Sequence, residues 1–225
     1  MEQKKFNGEP ELIAANEPHM ALLFLVDTSG SMGGEPIDEL NKGLNRFKSE
    51  VCEDKKARDI LDIAIVEFND EMKVVQEFTP VPSMTEINLV AGGSTTMTPA
   101  ILKALDMVNE RSRFYRRMAE PYKPWIILIS DGAPTDDITS AAKKIKEMEE
   151  NGKVSFRSLG VGEYDSKTLH TLCGPKVAKM LGTDFKAYFD WVKKSMRSVS
   201  LSSPGTKPKA EAFTGNVVVD TENWD

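Results

Sequence analysis

The chain has 225 residues, enough for one large domain or a domain with an appendage. With 40% hydrophobic and 28% charged residues it has the composition of an ordinary globular protein, which excludes a disordered or fibrous chain. Its 29 Lys and Arg stand against 35 Asp and Glu, and the formal net charge of −6 argues against general nucleic-acid binding. Cys52 and Cys173 have neither metal-ligand spacing nor the pattern of a disulfide framework, and are expected as reduced thiols. Residues 1–19 form a polar lead-in without an apolar targeting core, and the apolar run Met20 to Val26 is far short of the ~20 residues of a membrane span. The expectation is a cytoplasmic protein with neither a membrane nor nucleic acid as partner.

Ala21 to Val26 is unbroken apolar sequence, the pattern of a strand covered on both faces. After Asp27-Thr-Ser-Gly-Ser-Met-Gly-Gly34 the period changes: Ile37, Leu40, Leu44, Phe47 and Val51 mark one face of a helix. Leu61 to Phe68 and Met72 to Phe78 predict a hairpin about the turn Asn69-Asp-Glu71. Pro80 to Gly93 is a loop, and Thr98-Pro99 predicts the start of a helix running to about Met118. Trp125 to Ile129 is another buried strand, ending in Ser130-Asp-Gly132. A helix capped by Asp137 follows, then a strand over Val154 to Val161. A short helix through Leu169 and Leu172 stops at Gly174-Pro175, and a last helix carries Phe185, Tyr188, Phe189, Val192, Met196 and Val199. This alternation predicts an α/β fold: a doubly wound, mostly parallel central sheet with one antiparallel edge strand and helices on both faces. The domain is expected over residues 20–200, with 201–225 as linker and tail, in which Val217 to Val219 is either an edge strand or disordered.

In such a sheet, ligands bind at the carboxyl ends of the parallel strands. Three segments bring oxygen donors there: Asp27-x-Ser29-x-Ser31, the Gly92-Gly-Ser-Thr95-Thr96 loop, and Asp131. Hydroxyls with one or two carboxylates, and neither sulfur nor imidazole, suit Mg²⁺, Mn²⁺ or Ca²⁺. Two carboxylates at most neutralise such an ion, which favours a further acidic ligand from another molecule. Met32 and Met97, in the same loops, are expected as an apolar rim around that partner carboxylate. The competing reading is a metal-dependent hydrolase or phosphatase using the same Asp and Ser cluster. It is weakened by the lack of a glycine-rich nucleotide loop with its Lys, and by the placement of both histidines, His19 and His170, away from the donor segments. A basic run, Arg111, Arg113, Arg116, Arg117 and Lys123, is expected as a solvated helix end or a weak docking surface for an acidic partner.

The segments Leu-Phe-Leu-Val-Asp27-Thr-Ser29-Gly-Ser31-Met, Gly-Gly-Ser-Thr95-Thr-Met and Ile-Ser-Asp131-Gly-Ala-Pro-Thr-Asp resemble those of a von Willebrand factor A domain over residues 20–200. That family's metal-ion-dependent adhesion site has the pattern D-x-S-x-S, then a threonine, then an aspartate. The resemblance implies a Mg²⁺ (or Mn²⁺ or Ca²⁺) site at Asp27, Ser29, Ser31, Thr95 and Asp131, with Thr96 as the alternative threonine. It implies a binding module, not an enzyme, that presents the metal to an Asp or Glu of a protein partner. Within the family the chain is most similar to the bacterial TerY-like, tellurium-resistance-associated branch, on Ser-Asp-Gly-Ala-Pro-Thr-Asp and Phe185-Lys-Ala-Tyr-Phe-Asp-Trp191. That branch implies a stress-response system whose protein kinase or phosphatase is a candidate partner.

Overall fold

Eight consecutive buried residues, Met20–Asp27, form the central strand β1, and the apolar run is explained by the helices that cover it on both sides. The computed structural model describes residues 12–131, 133–206 and 212–221. After β1 come α1 (Glu35–Glu53), α2 (Lys55–Ile60), β2 (Leu61–Phe68), β3 (Met72–Pro80), α3 (Thr98–Tyr115) and β4 (Trp125–Ser130). The remaining elements are α4 (Thr139–Glu150), β5 (Ser155–Gly160), α5 (Ser166–Cys173), β6 (Val177–Met180), α6 (Lys186–Ser200) and β7 (Val217–Val219). The sheet order is β3-β2-β1-β4-β5-β6-β7. The five inner strands are parallel, β3 runs antiparallel to β2, and β7 runs antiparallel to β6.

Alternation along β1 divides the interior into two cores. Leu22, Phe24 and Val26 face the layer of α1 and α6, while Ala21, Leu23 and Leu25 face α3 and α4. The expected helix face Ile37, Leu40, Leu44, Phe47 and Val51 is buried in the first core, where Phe24 meets Phe47 and Phe189, each at 5.6 Å between centroids. Each such side chain, taken fully from water, contributes about 1.5–3 kcal/mol. Gly43 lets α1 and α6 approach closely: a Cβ there would lie 2.7 Å from the Phe189 ring.

The long connection from β3 to α3 is held by two side chains of α1. Asn41 donates to Leu89 O (2.9 Å) and accepts from Leu89 N (2.8 Å); Asn45 pairs in the same way with Ile87, at 2.7 and 2.9 Å. Each primary amide satisfies one residue's backbone as a neighbouring strand would.

Several elements differ from expectation. The short helix α2, capped by Asp54 Oδ1 at Lys56 N and Ala57 N, and the four-residue β6 are both too short to show a period. The expected domain boundary at residue 200 moves outward. Val217 is buried, β7 pairs with β6, and buried Asp220 accepts from the hydroxyls of Tyr164 and Ser166, both at 2.6 Å. The sheet therefore has a second antiparallel edge. At the other end, His19 is buried and its carbonyl accepts from Tyr122 N at 3.0 Å, so the last residue before β1 also joins the fold. The basic run is split: Arg111 is buried and donates to Asp62 Oδ2 at 2.9 Å, because its stem lies on the core face of α3. Cys52 and Cys173 are free thiols, and burial pushes Cys173 up to about 12. No helix among the described residues is long and apolar enough to cross a membrane.

Candidate metal centre

β1 lies between β2 and β4, and the chain leaves it towards one face while the connection into β4 comes from the other. That reversal opens a crevice at the carboxyl ends of β1 and β4. Asp27 is the last residue of β1 and is fully buried. Its Oδ1 accepts from Ser29 N at 2.8 Å, as in an Asx turn, and its Oδ2 accepts from Ser130 Oγ at 2.6 Å. Past Asp27 the backbone rises through a 3-10 turn, Gly30–Met32, into α1. The Ser29 and Ser31 hydroxyls lie 3.1 Å apart, and Ser31 Oγ donates to Asp131 Oδ1 at 2.9 Å. Four of the five expected donors are thus joined in one run of hydrogen bonds spanning β1, the turn and the end of β4.

The loop carrying Thr95 is fastened to both neighbours. Gly92 N donates to Thr28 O (2.8 Å), Gly30 N to Gly93 O (3.0 Å) and Thr135 N to Thr95 O (2.9 Å). Thr95 is buried and Thr96 half-buried, and Thr96 N donates to Asn69 O at 2.8 Å. Asp70 Oδ1 accepts from Ser94 N and Ser94 Oγ, at 2.9 and 2.6 Å. Gly93 is required there: its φ is +81°, and a Cβ would meet Asp70 Oδ2 at 2.3 Å. Asp136 reaches from the third loop to the start of α3, accepting from Met97 N and Thr98 N, both at 2.8 Å. It serves as the cap that the Thr98-Pro99 pair was expected to supply, while Thr98 Oγ1 instead donates to Asp137 O at 2.9 Å. Ser130, Asp70 and Asp136 were not legible as site residues. Ser130 had a signal in its place before Asp131 at a strand end, and Asp136 in closing the Ser-Asp-Gly-Ala-Pro-Thr-Asp segment, whereas Asp70 had none beyond its turn.

Burial pushes the Asp27 carboxyl above its ordinary range, against the hydrogen bonds from Ser130 and Ser29. Burial likewise raises Asp131, and the Asp27 charge raises it further, against the bond from Ser31. The groups offsetting these shifts are hydroxyls and backbone amides, with no basic side chain among them. Two carboxylates and several hydroxyls, all hard oxygens, with no counter-cation among the described residues that shift them, fit a divalent Mg²⁺, Mn²⁺ or Ca²⁺ ion.

Met32 and Met97 do not form a rim. Both are fully buried, Met32 in the α1–α6 core and Met97 in the α3–α4 core, because each apolar side chain in a polar loop turns under the loop. The exposed apolar side chains at this edge are Val90, two residues before Gly92, and Leu181, just past β6. Neither histidine belongs to the cluster. His19 precedes β1 and stacks on Tyr115, and His170 Nδ1 lies 2.9 Å from Gly174 O.

The family model of the von Willebrand factor type A domain matches residues 21–190. No curated protein matches the chain in sequence. Among solved structures it is similar to the pilus adhesin SpaC from Lactobacillus rhamnosus GG (TM-score 0.66, 13% identity, 81% of this chain and 31% of that one). It therefore corresponds to under a third of that adhesin's length. It is similar too to the vWF domain of the type V pili tip protein Mfa5 from Porphyromonas gingivalis (TM-score 0.61, 11% identity, 84% and 98% covered). A third is the ArnB paralog VWA2 from Sulfolobus acidocaldarius (TM-score 0.54, 19% identity, 80% and 45% covered). At these identities the structures speak for the fold alone, and the match of the family model over residues 21–190 makes the chain a member of the von Willebrand factor type A domain family.

Proposed function

We propose that the chain is a metal-dependent protein-interaction module whose Asp27, Ser29, Ser31, Thr95 and Asp131 hold Mg²⁺, Mn²⁺ or Ca²⁺. The observation that carries this reading is the run of hydrogen bonds from Asp27 through the Ser29 amide and the Ser29 and Ser31 hydroxyls to Asp131, with two raised carboxylates and no basic side chain among the groups that shift them. A divalent ion bound there supplies an electrophilic centre for an Asp or Glu of a protein partner. Asp27 anchors the cluster from the strand, Ser29 and Ser31 add neutral donors, and Asp131 closes it from β4. Asp70 and Asp136 orient the Thr95 loop through its backbone. The TerY-like resemblance supports a bacterial stress-response system of the tellurium-resistance type, with a kinase or phosphatase as partner. The hydrolase reading is disfavoured because both histidines are committed elsewhere in the fold.

Calorimetric titration of chelator-treated protein with Mn²⁺ tests the site. One saturable site is expected, lost in an Asp27→Asn, Asp131→Asn double variant that melts like the parent. Asn is chosen over Ala because a buried Ser130 hydroxyl left without an acceptor costs about 1–3 kcal/mol. Unchanged Mn²⁺ binding in the double variant overturns the assignment. Metal-dependent turnover of generic phosphate esters would favour the enzyme reading instead.

A further inference from the structure

A cavity of about 440 Å³ lies between α6 and the β5–β7 end of the sheet, within the size range of small-molecule sites. Its walls are mostly apolar: Val177, Tyr188, Trp191, Phe213 and Val217 line it, and two cationic residues reach it, Arg157 from β5 and Lys176 from the turn before β6. Lys176, Val177 and Ala178 place it over the amino-terminal end of β6, the opposite sheet edge from Asp27 and Asp131. The Arg157 Cζ sits 4.3 Å from the Trp125 ring centroid and 5.5 Å from that of Trp191. Both indoles thus lie against the guanidinium and hold it at the cavity wall. Its Nε is buried and has no hydrogen-bond partner, and no carboxylate lies within ion-pair distance among the described residues. The neighbouring Lys176 is already paired, with Glu149. An unsatisfied buried donor costs about 1–3 kcal/mol, and in a native fold it calls for a cause.

We propose that this cavity is a binding site for a small organic monocarboxylate with an aromatic or branched apolar body. The carboxylate meets the N–H donors of the Arg157 guanidinium, a forked, charge-assisted pairing that Lys cannot reproduce, and the body fills the space against Phe213 and Tyr188. A phosphate is disfavoured because its second charge would face apolar walls with no further cation free to meet it. A neutral ligand leaves the guanidinium unmet. Because Phe213 and β7 form one wall, occupancy joins the end of the chain to α6.

The test is calorimetry with tryptophan fluorescence, titrating the intact protein with 4-phenylbutyrate, its neutral amide and inorganic phosphate. The acid is expected to bind one-to-one and saturably, more tightly than about 1 mM, and to perturb the emission of Trp125 and Trp191. The amide and phosphate are expected to bind at least about tenfold more weakly. Arg157→Gln should weaken the acid by at least about tenfold and leave the amide unchanged, with Arg157→Lys intermediate. Absence of saturable acid binding, equal binding of acid and amide, or undiminished binding in a folded Arg157→Gln variant overturns the proposal. The acid-to-amide comparison uses the unaltered protein, so it decides even if Arg157→Gln fails to fold.

Discussion

His19 shows how a buried residue outside the candidate site sets the response to acid. Its ring is 2% exposed, stacks on Tyr115 at 5.3 Å, and holds Nδ1 3.8 Å from Asp62 Oδ2. Burial lowers its pKa below the ordinary 6.5, and the Asp62 charge only partly offsets this. Asp62 is already engaged by Arg111 and Tyr115, which limits the help it gives an imidazolium. As pH falls below 6.5 the unfolded chain takes a proton at His19 that the folded chain refuses, so stability is lost, by about 1.4 kcal/mol for each unit separating the two pKa values. Asp27 and Asp131 act with the opposite sign, since their raised pKa values give stability that disappears as pH rises. Comparing two proteins that differ only at position 19 cancels that contribution. The parent should lose melting temperature more steeply than His19→Gln between roughly pH 7 and 5. Parallel slopes would show that His19 titrates alike in both states.

At the scale of elements, α3 is tied to the candidate site by a cap borrowed from another loop. Asp136 satisfies two orphan amides at the start of α3 and thereby fixes Thr95, two residues earlier, against the Asp131 loop. Asp136→Ala is expected to cost about 1 kcal/mol, the usual worth of a cap, or about 2–4 °C in melting temperature. It should speed hydrogen exchange at Met97 and Thr98 and weaken Mn²⁺ severalfold, although Asp136 is not among the proposed ligands. A stability loss with unchanged Mn²⁺ affinity would confine Asp136 to capping. The helix itself was legible from Thr98-Pro99 and its apolar period, whereas its cap was not. Asp136 lies 39 residues from Met97, and no local pattern encodes a contact at that separation.

For the molecule as a whole, Val217–Val219, beyond the expected domain span, is a structural part of the sheet. β7 covers the edge of β6, Val217 is buried, Phe213 lies 4.5 Å from Trp191 between ring centroids, and Asp220 gathers the Tyr164 and Ser166 hydroxyls. A chain cut after Leu201 loses these contacts and bares a strand edge able to pair with other chains. Its melting temperature is expected to fall by about 5–10 °C, from roughly 3 kcal/mol of lost burial and hydrogen bonding, with self-association visible by size-exclusion chromatography. A monomer that melts like the full chain would make the segment dispensable and move the domain boundary back towards residue 200.

Local sequence determined the parallel core and brought most of the candidate site's oxygen donors to the strand ends. A strand buried on both faces must be apolar throughout, a covered helix must repeat every three to four residues, and Asp27, Ser29 and Ser31 lie in one turn that a short motif can encode. Tertiary structure decided what depends on distant partners. Met32 and Met97 went under their loops because two cores waited there, and Ser130 became a partner of Asp27 because β4 stands beside β1. Arg111 left the surface for Asp62, and three valines near the end of the chain became a strand because β6 offered an unpaired edge. A one-dimensional pattern records a residue's own chemistry and that of its near neighbours. Which side chain across the fold will satisfy a buried carboxylate, or which edge will accept a short strand, is settled only when the chain has closed on itself.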